Sequence, residues 1–270
     1  MKIAVLGTGH MGGAIIDALV RAYETEVSVI AYDTNEAALR ELPDNVLVCS
    51  PDEWNEPENI PDMIVLAIKP AELAVSLAVF SADLKTTFAK TLWVSIAAGV
   101  TIETLSGILG SSAKICRVMP NLPLTVGEGM SAYCLNAACG IEESKSIEYV
   151  FSACGKTAAV PEKFMNAVTG LSGSGPAYVY LFIEALIEGG VTAGLPFDVA
   201  RQLAVQTVRG AVKMVDTYST KHPAELKAQV MSPGGTTVAG LCALEANGFK
   251  HAVISAVTAA TNRSAELGKK

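Results

Sequence analysis

Two glycine-rich segments hold the residues best placed to do chemistry. The first, Gly7-Thr8-Gly9-His10-Met11-Gly12, follows an apolar run at Lys2–Leu6 and opens an apolar-periodic stretch at Met11–Arg21. Strand, glycine turn and helix in that order make a phosphate cradle, because the free N–H groups of a helix start face an anion. Gly7 permits the tight turn, Gly9 lets the backbone approach a pyrophosphate, and Gly12 lets helix and strand pack closely. His10 and Met11 lie on the same loop. Asp33 stands 21 residues beyond Gly12, at the end of a second apolar run. A carboxylate there can accept hydrogen bonds from the adenine ribose and repel a 2′-phosphate. Neither Thr34 nor Asn35 supplies a cation. The expected coenzyme is NADH or NADPH, and Asp33 favours NADH.

The second segment is Val230-Met231-Ser232-Pro233-Gly234-Gly235-Thr236-Thr237, before the helical run Val238–Glu245. Backbone donors and hydroxyls that converge on a helix start suit a small carboxylate. A cap alone needs one Ser or Thr, so two glycines and two threonines exceed the structural minimum. Other segments stay open to two readings. Gly170–Tyr178 is either an interdomain turn or a ligand contact. Ala67, Lys69 and Pro70 end the strongest strand, where a parallel sheet opens its ligand crevice; Lys69 is either a crevice residue or a solvated surface lysine. Ala97 and Ala98 end the next strand and either leave room for a nicotinamide ring or pack closely.

The competing chemistries are thinly represented. Six cysteines are scattered without a CxxC pair, and three histidines stand far apart, so no metal site is expected and the thiols should be free. No Cys–His or Ser–His–Asp arrangement suggests nucleophilic catalysis. Nor is there an evident acid/base set for reducing a ketone. Reduction of a C=N bond fits better, since its nitrogen can arrive already protonated.

Apolar runs at Lys2–Leu6, Val27–Tyr32, Val46–Cys49, Met63–Ala67, Leu92–Ile96 and Ala113–Val118 alternate with helical stretches, among them Glu36–Glu41, Ala71–Asp83 and Thr101–Leu109. That alternation predicts a parallel sheet covered on both faces. Gly129–Cys134 and Lys156–Val160 read as further edge strands. From Phe164 onward only helices are predicted, including Pro176–Ala193 and Asp198–Tyr218, the latter capped by Asp198. The expected architecture is α/β, a Rossmann-like dinucleotide-binding domain over residues 1–161 followed by an all-helical substrate-binding and dimerisation domain over 162–270. With 50% hydrophobic and 17% charged residues, either the core is large and rich in helical alanines or some apolar surface is covered by a partner subunit, and composition does not choose between them. The net charge of −7 and the absence of a basic cluster argue against nucleic acid. No apolar run reaches the ~18 residues that span a bilayer, and MKIAVLG opens on a strand rather than a basic leader, so a cytoplasmic location is expected.

The sequence strongly resembles the pyrroline-5-carboxylate reductase family over nearly its whole length. The resemblance rests on Gly7–Gly12, on Val65–Pro70 and Val94–Thr101, on Arg117-Val118-Met119-Pro120-Asn121-Leu122-Pro123, on Val168–Tyr178, on His222-Pro223 with Leu226-Lys227, and on Val230–Thr237. It implies reduction of L-1-pyrroline-5-carboxylate to L-proline by hydride transfer from NAD(P)H, the last step of proline synthesis. It further implies that Ser232, Gly234, Gly235 and Thr236 hold the substrate carboxylate, that Val230 lines the pocket, and that Thr237 stands near the ring nitrogen as the catalytic candidate. Lys69, Pro70, Ala97, Ala98, Met119 and Asn121 match the part of the coenzyme domain nearest the nicotinamide. The resemblance also implies a homodimer, and members of the family often assemble such dimers into a larger ring. The chain departs from the family pattern at His10, where Asn or Gln is common, at Leu122 in place of Thr, at Asp33-Thr34-Asn35, and at Thr220 in place of an acid. A different cyclic imino acid as substrate, and a nonenzymatic NAD-binding regulator, are the alternatives.

Overall fold

The computed structural model describes residues 1–23, 25–78, 80 and 86–268. They form two compact units: Met1–Ser174 together with the C-terminal residues from Ala259, and Gly175–Thr258.

The first unit is built on an eight-stranded sheet. Its strands are β1 (Lys2–Leu6), β2 (Ser28–Tyr32), β3 (Leu47–Val48), β4 (Met63–Leu66), β5 (Leu92–Ser95), β6 (Lys114–Met119), β7 (Gly129–Leu135) and β8 (Gly155–Ala159). Their spatial order is β3-β2-β1-β4-β5-β6-β7-β8. The first six are mutually parallel, and the strand order reverses between β1 and β4. At such a switch point the loops at the carboxyl ends diverge and leave a crevice. The expectation of a parallel sheet holds for these six strands only. β7 runs antiparallel to β6, and β8 runs parallel to β7. The short connection from Pro120 to Glu128 has no room for a crossover helix, so the chain returns antiparallel. β7 is therefore an interior strand and not an edge. The edges are β8 and the two-residue β3.

Side-chain alternation fills both faces of this sheet. Ile3, Val5, Met63, Val65, Leu92 and Val94 point to one core with Ile15, Leu19, Ile147 and Phe151. Ala4, Leu6, Ile64, Leu66 and Trp93 point to the other with Trp54, Phe80, Phe88 and Leu105. Both faces are buried, which is why the strands read as continuous apolar runs. Helices α1 (His10–Tyr23), α2 (Glu36–Leu39), α3 (Leu73–Leu77), α4 (Ile102–Leu109) and α5 (Ile141–Ser152) accompany the strands. Thr101 caps α4, its Oγ1 accepting the Thr104 N–H at 3.1 Å. The helix expected over Ala71–Asp83 appears as a 3-10 turn at Pro70–Glu72 followed by α3; of the rest of that span, residues 79 and 81–83 lie outside the described residues. α5 has no counterpart in the sequence-based expectations.

The chain is all-helical after β8. A short α6 (Met165–Val168) runs into a π-helical turn at Thr169–Gly173. The second unit holds α7 (Gly175–Thr192), α8 (Phe197–Thr217), α9 (Pro223–Gln229), α10 (Thr236–Ala246) and the start of α11 (Phe249–Leu267), whose last turns belong to the first unit. α8 begins one residue before the expected cap. Pro196 occupies the cap position, and Asp198 sits inside the first turn, where its charge still complements the helix dipole. α7 has no buried residue in the single chain, and Leu181, Leu203, Phe197 and Val212 are exposed. Among the described residues, no helix is long and apolar enough to cross a membrane.

One ion pair fastens the end of the sheet to the helical segment within the first unit. Arg117 on β6 is buried, and its Nη1 lies 3.5 Å from Glu162 Oε1. The same oxygen accepts the N–H of Ile102 at the start of α4, at 2.7 Å. Removing the carboxylate leaves a buried guanidinium and a helix N–H without this acceptor. Glu162→Ala is expected to lower unfolding stability by about 2 kcal/mol, read as a lower urea midpoint with an unchanged slope.

Candidate functional site

The glycine loop is shaped by close backbone contact. Gly7 has φ +95°, and a Cβ there would sit 2.6 Å from the carbonyl oxygen of Ala67. A Cβ on Gly12 would overlap the carbonyl oxygen of Gly7. Both positions therefore exclude any larger residue. Gly9 differs, since nothing lies within 4 Å of the place its Cβ would occupy. Its carbonyl accepts the Gly13 N–H at 2.8 Å, so Gly9 caps α1. The first N–H groups of α1, from His10 to Gly12, have no intrahelical acceptor and are donors for an anion. An open Cβ position beside these donors is what a pyrophosphate needs for backbone approach.

Asp33 is tied to this loop. Its Oδ2 accepts the Thr8 N–H at 2.6 Å and faces Thr8 Oγ1 at 3.3 Å, while its Oδ1 accepts the Asn35 N–H at 2.8 Å. The residue is half-buried. A carboxylate offers about four lone-pair sites, so after these contacts one remains, on Oδ1. Thr8 is the partner of Asp33 that the sequence did not single out; its only signal was a small polar residue between two glycines. A crevice of about 270 Å³ lies here, lined by Gly7, Gly9, Tyr32, Asp33, Ala67 and Lys69, with Glu72 and Ser76 on its rim. A larger hollow of about 410 Å³ is lined by Thr8, Gly9 and His10 of the loop together with Asp17 and Glu41. Each hollow carries two carboxylates, but only the smaller crevice is also lined by a lysine, Lys69, and by the carboxyl ends of β1, β2 and β4 at the switch point, so it is the better nucleotide site.

The other expected coenzyme residues stand at the carboxyl ends of β4, β5 and β6. Lys69 and Pro70 are exposed, and Lys69 Nζ is 3.9 Å from Glu72, a loose surface pair. Ala67 and Ala98 are half-buried, whereas Ala97 is packed in the core, leaving only its backbone to face a ligand. The Asn121 amide is engaged with Ser172 and Met130. Small side chains, an open glycine and free helix donors around one crevice fit a dinucleotide.

The second glycine-rich segment lies in the other unit. α10 starts at Thr236, so both threonines fall in its first turn rather than before it. Gly234 has φ +67°, and Gly235 N–H bonds the Ser232 carbonyl at 2.9 Å. A Cβ on Gly235 would overlap Ser232 Oγ. Gly235 thus allows a tight turn that leaves Ser232, Gly234 and Thr236 exposed, with Thr237 half-buried and Val230 exposed. No side chain caps α10, so its first N–H groups remain available to an anion.

The remaining polar groups add no rival site. Among the described residues no group of His, Cys, Asp and Glu is arranged to hold a metal. His222 caps α9, its Nδ1 accepting the Ala224 N–H. All six cysteines are free, and burial raises the thiol pKa of Cys134 and Cys154 to about 11. Those two stay protonated at neutral pH and are poor nucleophiles.

Comparison with known proteins agrees with this layout. A family model described as pyrroline-5-carboxylate reductase dimerisation matches residues 162–267. The pyrroline-5-carboxylate reductase of Synechocystis is 41% identical over 273 residues, spanning 100% of this chain and 99% of its own. The chain belongs to the pyrroline-5-carboxylate reductase family. The Escherichia coli reductase is 36% identical, spanning 99% of this chain and 98% of its own. The Plasmodium falciparum pyrroline carboxylate reductase, solved with NADP bound, superposes with a TM-score of 0.86 at 35% identity, covering 99% of this chain and 98% of its own. A second model, described as NADP oxidoreductase coenzyme F420-dependent, matches residues 2–99.

The loop geometry separates two roles of glycine. Gly9→Ala is expected to leave the unliganded fold intact and weaken NAD(P)H binding by about ten- to a hundredfold, the loss of one or two charge-assisted hydrogen bonds. Gly12→Ala is expected to lower the melting temperature as well. Thermal unfolding and coenzyme fluorescence titration on both variants check this.

Proposed function

We propose that this chain reduces L-1-pyrroline-5-carboxylate to L-proline with NAD(P)H, as a cytoplasmic homodimer. The likeness to pyrroline-5-carboxylate reductases along the whole chain carries the reading, with the Ser232–Thr237 turn intact at the head of α10. The coenzyme supplies hydride to the imine carbon. Everything else falls to the chain. The donors of Gly9–Gly12 hold the pyrophosphate, and Asp33 accepts from the adenine ribose with its remaining lone pair. Ser232, Gly234, Gly235 and Thr236 hold the substrate carboxylate through backbone and hydroxyl donors beside Val230. Thr237 orients the ring nitrogen, which arrives protonated and keeps its proton in the product amine. His10, Met11, Ala67, Lys69, Pro70 and Ala98 line the coenzyme path, with Ala97 contributing backbone.

The dimer reading is supported by α7, an apolar helix with no buried residue in the single chain. A helix that apolar needs a covering partner. The helical half after Pro161 is the substrate-binding and dimerisation domain, and dimers assemble further into a ring. NADH is preferred over NADPH, since Asp33 places a negative charge beside the ribose and, among the described residues, Lys69 is the one cation that lines the crevice.

An assay with pyrroline-5-carboxylate and each reduced coenzyme tests the core reading; absence of proline with both overturns it. Thr237→Ala is expected to lower kcat with little change in coenzyme binding, because its contact forms at the reacting imine; unchanged kinetics would remove Thr237 from the mechanism. Asp33→Ser is expected to raise the ratio of kcat/KM for NADPH to that for NADH. It should also weaken NADH, since the clasp on Thr8 is lost, and a ratio that does not rise would sink the NADH preference.

A further inference from the structure

The side chain of Asn121 is held by three partner atoms within the first unit. Asn121 follows β6 at the carboxyl edge of the sheet. Its Nδ2 donates to the Ser172 carbonyl at 3.2 Å and meets Ser172 Oγ at 3.4 Å, while its Oδ1 accepts the Met130 N–H at 2.8 Å. One amide therefore bridges the end of β6, the start of β7 and the π-helical turn at Thr169–Gly173.

That turn is an unusual place for the chain to be. A π-turn inserts an extra residue into helical winding, and its wide ring is held only where surroundings compensate. Here Ser174 N–H bonds the Thr169 carbonyl at 2.9 Å, which closes the wide ring. The methyl of Met119, the last residue of β6, lies in the notch that Gly173 leaves: a Cβ there would fall 2.7 Å from Met119 Cε, which the flexible thioether would have to vacate. The turn is thus bound to β6 twice, by the Met119 methyl in the Gly173 notch and by the Asn121 amide on Ser172. Met119 ends β6, in line with the carboxyl ends of β4 and β5 that carry Ala67 and Ala98.

We propose that Asn121 is a positioning residue for hydride transfer, holding the π-turn against the carboxyl end of β6 rather than touching the coenzyme. The proposal rests on the reductase reading for its link to turnover. Its physical content is separate: the Nδ2–Ser172 carbonyl bond sets the turn, the Oδ1–Met130 bond sets the amide, and Ser172 Oγ adds little at its longer distance.

Three variants test it. Asn121→Ala should lower kcat about tenfold, the worth of about one hydrogen bond, with the NADH and NADPH dissociation constants changed by less than about twofold. Amide hydrogen exchange should speed up across residues 169–174. Asn121→Asp keeps the acceptor for Met130 and loses the donor to Ser172, so it should reproduce both effects. Ser172→Ala keeps the carbonyl and should behave as wild type. A tenfold weaker coenzyme in Asn121→Ala with unchanged exchange would overturn the proposal in favour of direct contact. Wild-type exchange and kcat in Asn121→Asp would overturn it too. Exchange and coenzyme titration need no turnover, so they decide on Asn121 even if the wild-type chain reduces no pyrroline-5-carboxylate and the reductase reading falls.

Discussion

The nucleotide half depends on one constraint: three backbone segments meet without room for side chains. Gly12 lies on the Gly7 carbonyl, and Gly7 lies on the Ala67 carbonyl. The first turn of α1 is thereby pressed onto the ends of β1 and β4. Its N–H groups face the switch point only because that approach is so close. Asp33 completes the arrangement by fixing the Thr8 N–H from the neighbouring strand. A protein that must bind a pyrophosphate by backbone cannot place bulk there, so three glycines are a geometric requirement of the binding mode.

The two units solve different physical problems. The first buries both faces of its sheet within one chain, and its buried side-chain polar atoms all find partners among the described residues. The second leaves much of its apolar surface in water when considered alone. Its helices are amphipathic or apolar elements that leave these faces open to a second copy. The first unit thus has its cohesion within one chain, whereas association with a second copy would add burial chiefly to the second.

What was legible in the sequence was what local chemistry decides. The apolar strands, the glycine loop after β1 and the change to helices after β8 follow from periodicity and turn residues. Structure dictated from a distance was not legible. β7 looked like an edge because nothing in Gly129–Cys134 reveals that β8 pairs beyond it. α5 was missed because its face is narrow: only Ile147, Val150 and Phe151 are buried, among Glu142, Glu143, Lys145 and Glu148. At the site, the motif identified Asn121 and Asp33 as residues of interest but not their partners. Ser172 lies 51 residues from Asn121, and Thr8 lies 25 from Asp33. Such distances carry no periodic signal.

The two edges of the sheet carry a consequence for how copies of this protein meet. A long bare edge strand is a template on which another chain can add by backbone pairing, leading to fibres and aggregates. Here one edge, β3, is only two residues long, and the other, β8, carries the exposed Lys156. Neither offers a flat apolar ladder. Self-association by strand addition is therefore disfavoured, which leaves side-chain packing between helices as the route by which copies meet.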